Sequence, residues 1–266
     1  MIQLVRVTTD QDFRINRFTD RVALDAEKTG LMLKARKIIS FSPHPDDSEL
    51  IAGGYLASSI DRHAEVKLVV VSDDRMSFTS IENALPMEKI VEIRKDEEMK
   101  ALHTLAITDV EFLEYTDSRV PEPKILMKDF IRIIRGYAPD LVISVDPFLP
   151  YEAHPDHLNT GNALLRAVLF HQFPYILKSI KIKSKPPTIA LGATASPNAI
   201  ISVDHSMDRK IAAILSHKSQ FPNTEDIERQ VRETASIFGK LINRRYGEAF
   251  KVLRPDETHL DVLAAY

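Results

Sequence analysis

Short, nearly continuous apolar runs alternate along this chain with longer stretches in which apolar residues recur at helical spacing. Ile38-Ile39-Ser40-Phe41, within residues 35–42, and Val66-Lys67-Leu68-Val69-Val70-Val71 read as strands covered on both faces. Further strands are predicted over 110–115, 141–145, 188–191, 199–203 and 249–253. Helical spacing falls at 55–60, 87–105, 121–137, 155–170, 208–216 and 224–244, with Pro155 suited to a first turn and Pro139 closing the third of these. Residues 10–30 carry Phe13, Ile15, Phe18, Val22 and Leu24 among charges and predict one more helix, laid across the domain. Residues 72–86 are polar and turn-rich and predict a loop at the site. Residues 178–187, with four lysines, predict an exposed connection. Strand–helix alternation of this kind predicts right-handed βαβ units in a doubly wound α/β sheet. With no repeat, low-complexity segment or linker, residues 1–266 read as one domain in which 1–34 form a helical extension.

Composition narrows the partners. A net charge of −3 and a pI near 6.3 offer no bulk attraction to nucleic acid or anionic lipid. No run approaches the roughly 20 apolar residues of a membrane span. Residues 1–17 lack the apolar core of a secretory signal, so the expected address is cytoplasmic. The chain has no cysteine, which leaves any metal to His, Asp and Glu.

Two clusters carry the chemistry. His44-Pro45-Asp46-Asp47 follows the first strand, and His154-Pro155-Asp156-His157 follows the strand at 141–145. Ligands of open α/β sheets bind beyond the carboxyl ends of the strands, so both clusters are expected in one site. His44 and Asp47 are close enough to face one ion, and His154 and His157 share a helical face, so one further His completes a three-ligand set with an open water position. The neighbouring Asp46 is the candidate general base, and the remaining His can protonate a leaving amine or stabilise an oxyanion. That machinery fits metal-assisted amide hydrolysis. A lone His-Pro-Asp is also an ordinary turn sequence; it is the pair, each after a strand, that points to a site. His63, His103, His171 and His259 have no such setting and are expected on the surface or along helices, while His205 and His217 are left without a place.

His44-Pro45-Asp46-Asp47-Ser48-Glu49 with Gly53-Gly54, and the His-x-x-His of residues 154–157, resemble the two signatures of the PIG-L (LmbE-like) de-N-acetylases. The resemblance runs through Arg94-Lys95-Asp96-Glu97, the stretches 113–117 and 217–221, and 245–250, covering roughly residues 35–253. Within the family, 150–154, 219–222 and 245–248 are most similar to the archaeal diacetylchitobiose deacetylases. The family pattern implies a Rossmann-like three-layer α/β/α sandwich with a mostly parallel sheet. It implies one zinc per subunit, or another divalent metal, on His44, Asp47 and His157, with Asp46 as base and His154 as oxyanion stabiliser or acid. Arg94 and Asp117 then fall at positions that contact sugar hydroxyls or support the site. The implied substrate is a small N-acetylglucosamine-containing molecule such as diacetylchitobiose. The alternatives are another N-acyl glucosaminide (thiol-pathway, inositol-linked or antibiotic) or a non-catalytic metal- or sugar-binding relative. The same resemblance implies a homo-oligomer, a hexamer being one arrangement, and the apolar tail at 260–266 is a candidate contact.

Overall fold

A seven-stranded sheet in the order β3-β2-β1-β4-β5-β7-β6 organises the chain, here a computed structural model describing residues 11–77 and 85–264. Its strands are β1 (Lys37–Ser42), β2 (Glu65–Ser72), β3 (Asp109–Tyr115), β4 (Leu141–Val145), β5 (Thr188–Gly192), β6 (Ala199–Ser202) and β7 (Gly247–Leu253). β3, β2, β1, β4 and β5 pair in parallel, while β7 runs antiparallel to both β5 and β6. The doubly wound, mostly parallel α/β sheet expected from the sequence is therefore present.

Strand periodicity explains the layers. Successive side chains point to opposite faces, so Ile38, Leu68, Val70, Leu141 and Ile143 enter one core while Ile39, Phe41, Val69 and Val142 enter the other. The first core is closed by α3 (Asp47–Asp61), α4 (Met87–Leu105) and α2 (Ala26–Lys34), through Tyr55, Leu56, Leu102, Leu105 and Met32. The second is closed by α5 (Pro123–Tyr137) and α6 (Pro155–Phe170), with Phe130, Ile134, Leu164 and Val168. A third apolar cluster joins α7 (Met207–Ile214) to α8 (Thr224–Leu241).

Two element expectations are corrected. Residues 10–30 do not form one helix: α1 spans Gln11–Thr19, and α2 starts afresh because the Asp25 carboxylate accepts the N–H of Glu27 and Lys28. α2 then docks by the buried Met32, a Lys28–Glu257 ion pair and a hydrogen bond from Asp25 N–H to Asn198 O. Helix α3 begins at Asp47, well before the expected start at residue 55, and runs through Gly53 and Gly54. At Gly54 a Cβ would lie 2.8 Å from Val203 and 3.1 Å from Glu248 Oε1, so glycine there permits close packing and does not mark a break. Of the loop expected at 72–86, residues 78–84 lie outside the described residues, as do residues 1–10 of the extension and 265–266 of the tail.

Candidate active site

The strand order places the site. Between β1 and β4 the winding reverses, and in open α/β sheets that reversal opens a crevice at the strands' carboxyl ends. His44 follows β1 and His154 follows β4, so the neighbouring strands bring two motifs 110 residues apart face to face: the His44 ring centroid is 4.5 Å from that of His154 and 5.2 Å from that of His157.

The turn after β1 is braced from within. Ser42 Oγ donates to His44 O (2.7 Å) and accepts from Ser48 N–H (3.0 Å). Asp46 takes φ 102°, a region a side-chain-bearing residue rarely enters, and caps α3 without a side-chain hydrogen bond to the helix backbone. Arg94 holds it there: its Nη2 donates to Asp46 Oδ2 (2.8 Å) and Pro45 O (2.6 Å), its Nε to Asp74 (2.5 Å) and its Nη1 to Glu97 (2.9 Å). After β4, His154 is the N-cap of α6, its Nδ1 accepting the Asp156 N–H at 3.3 Å. Helix α6 reaches close to β4 at Gly161, where a Cβ would meet Val145 O at 2.8 Å.

Asp47 Oδ2 lies 3.1 Å from His44 Nδ1 and 3.3 Å from His157 Nε2. Tetrahedral ligands at about 2.0–2.1 Å from a zinc-sized ion stand about 3.4 Å apart, so these spacings suit one divalent cation. The other imidazole nitrogens are held by carboxylates: His44 Nε2 by Asp156 (3.3 Å), and His157 Nδ1 by Glu152 (3.2 Å). Such outer carboxylates orient ligating imidazoles. The three histidines 44, 154 and 157 also bring one nitrogen each within 4.8 Å of the others. The nitrogens of His44, His154 and His157, with Asp47 Oδ2 beside two of these rings, therefore form a donor set that fits a metal ion.

Electrostatics separate the roles. Burial pushes the Asp46 carboxyl up to about 7, with Arg94 opposing and Asp47 and Asp74 adding to the rise. Asp47 is the reverse: burial raises it, but His157 and His44 outweigh that and hold it well below the usual carboxylate range. Burial lowers His154, and the neighbouring His44 and His157 lower it further, so its ring is neutral. For His44, burial is outweighed by hydrogen bonds to Asp117, Asp156 and Asp47, and its pKa stands well above the ordinary imidazole value.

His44, Asp46, Asp47, Asp117, His154 and His157 all border one cavity, which Asp74, Ser118 and Gln220 also line. Arg94 does not. It is fully buried behind Asp46, with its guanidinium on the carboxylates of Asp46, Asp74 and Glu97. Asp117 does face the cavity, accepting from Met76 N–H and Ser118 Oγ. Glu152, Asp156 and Asp74 have no role that the motifs alone assign. Glu152 and Asp156 sit inside or beside a noticed motif, but their service to a histidine depends on the fold. His171, expected on the surface or along a helix, is buried at the end of α6, 3.4 Å from Ser184 Oγ. His217 is also buried, 3.5 Å from Glu98 and 3.4 Å from Arg94, behind the site, where burial lifts Glu49 to about 8. His63, His103, His205 and His259 are exposed.

Residues 39–168 match the family model of the PIG-L GlcNAc-PI de-N-acetylases. Over 224 residues the chain is 29% identical to the diacetylchitobiose deacetylase of Thermococcus kodakarensis, covering 81% of this chain and 82% of that one. The structure of the N,N'-diacetylchitobiose deacetylase from Pyrococcus horikoshii, complexed with its inhibitor MPG, superimposes with a TM-score of 0.83 at 30% identity, over 97% of this chain and 98% of that one. The 4-carboxy-2-hydroxymuconate hydratase GalB from Pseudomonas putida KT2440 shares the fold, with a TM-score of 0.70 at 20% identity over 83% of this chain and 97% of that one.

Proposed function

Since this chain belongs to the PIG-L (GlcNAc-PI de-N-acetylase) family, we propose that it removes the N-acetyl group from small N-acetylglucosamine-containing molecules, with diacetylchitobiose the first substrate to try. One observation carries the reading: His44, Asp47 and His157, the Asp46 carboxyl and the His154 imidazole border the same cavity. His44, Asp47 and His157 hold one divalent ion per subunit, zinc being the first choice for that nitrogen and oxygen set; bound there, it polarises an amide carbonyl and lowers the pKa of water.

The protein's own groups perform the rest. Asp46 takes the proton of the water that attacks the acetamide carbonyl carbon. Arg94, on Asp46 Oδ2, keeps that carboxylate aimed from its left-handed turn. Because His154 Nδ1 accepts a backbone N–H, the ring proton of the neutral imidazole is on Nε2, which donates to the carbonyl oxygen as it gains charge. As the C–N bond breaks, Asp46 returns its proton to the amine nitrogen, and acetate and an amino sugar leave. Asp117, with Asp74, Ser118 and Gln220 around the same cavity, supplies partners for sugar hydroxyls.

The test is acetate release from diacetylchitobiose and N-acetylglucosamine, with chelated and zinc-reloaded protein compared directly. Restoration by zinc on either substrate is expected. Silence on both, with zinc bound, would overturn the substrate reading. We also read residues 1–266 as a single deacetylase unit and the protein as a homo-oligomer. The exposure of Leu260, Val262 and Leu263 supports the second reading.

A further inference from the structure

We propose that Glu152 is a positioning residue of this site: one carboxylate sets the ring of His157 and the backbone of His154 together. The inference rests on the metal-site reading above and extends it to a residue outside the ligand set. Glu152 Oε1 accepts the backbone N–H of His154 at 2.7 Å, and Oε2 lies 3.2 Å from His157 Nδ1. With Nδ1 carrying the proton towards Glu152, the Nε2 lone pair of His157 is the one that faces Asp47, 3.3 Å away. The same carboxylate, through the His154 N–H, fixes where α6 begins and so where the oxyanion donor stands.

The approach of the chain to Glu152 points the same way. Tyr151 takes φ 71°, a left-handed conformation that costs energy for an aromatic residue, yet its side chain is fully exposed and gains nothing from it. What the turn does is send Glu152 back towards the histidines. The segment leading in is held by Leu149 N–H to Asp146 O (3.2 Å), Phe148 N–H to Asp146 Oδ1 (2.9 Å) and Glu152 N–H to Leu149 O (3.1 Å). A carboxylate serving only as a loop cap needs one of its oxygens on the backbone; the second oxygen on His157 is what a positioning role requires.

The test compares E152A and E152Q with wild type and with H157A. It measures zinc affinity by competition with a chromophoric chelator, the visible spectrum of the cobalt-loaded protein, and kcat and KM separately. Loss of an outer carboxylate on a ligating imidazole weakens metal binding by about 10- to 100-fold. E152A is expected to show that loss, an altered cobalt spectrum, and a lower kcat at nearly unchanged KM. E152Q keeps the shape but has one acceptor oxygen for two donors, so it should fall between. Melting curves of the chelated proteins report folding independently of the metal. Wild-type affinity and spectrum in both Glu152 variants, with binding lost in H157A, would overturn the proposal alone. Wild-type binding by H157A would overturn the metal-site reading beneath it.

Discussion

Asp46 is a carboxylate held in an awkward conformation for a purpose. Its backbone lies at φ 102° and its side chain is pinned by Arg94, so the proposed base is fixed beside His44 and Asp47, the proposed metal ligands, while burial pushes its pKa up to about 7. A base must be ionised to act. Activity is therefore expected to rise with pH through about 7 and to be lost on the acid side, which a kcat/KM profile would show. D46N keeps an oxygen for Arg94 but cannot take the proton. It should leave metal content intact and cost roughly 10²- to 10⁴-fold in kcat. Near wild-type turnover, or a D46N profile with the same acid limb, would contradict the assignment.

At the scale of elements, helix α3 and the segments behind it carry the site's N-terminal half. The buried Glu248 carboxylate accepts the N–H of Gly54 (2.9 Å) and Tyr55 (2.7 Å) and pairs with Lys210 Nζ (2.6 Å), which also donates to Leu50 O (2.8 Å). E248A leaves Lys210 buried without that carboxylate, and breaking a buried pair costs about 3–5 kcal/mol. A denaturant melt should show that loss; a midpoint within error of wild type would contradict it. This same region shows what could be read in advance. The helices at 87–105 and 155–170 and the strand at 141–145 were legible, because long periodic runs and an N1 proline are local signals. The early start of α3 was not, since Gly53 and Gly54 look like punctuation until Val203 and Glu248 are seen packed against them. Nor was the split of residues 10–30, which turns on a single capping Asp25. In the site, His44, Asp46, Asp47, Asp117, His154 and His157 were named from motifs and do border one cavity. Arg94 was visible as a motif residue, but only the fold shows it fully buried behind Asp46.

For the molecule as a whole, the sheet supplies a place and not a chemistry. GalB shares the fold at low identity, so the reaction must be argued from the residues that fill the crevice between β1 and β4. Among the described residues no helix is long and apolar enough to cross a membrane. Near the C-terminal end Leu260, Val262 and Leu263 are 90%, 85% and 70% exposed, an apolar cluster of the kind that marks an interaction surface. Light scattering behind a sizing column should find a homo-oligomer, and replacing these three residues by serine should reduce its size; a monomeric wild type would contradict that reading. The most direct test of the account is the anomalous scattering of zinc in a crystal of the metal-loaded protein. It should show one site per chain, in contact with His44, Asp47 and His157. A zinc peak elsewhere, among Glu49, Glu98 and His217 for example, with nothing on those three ligands, would contradict it.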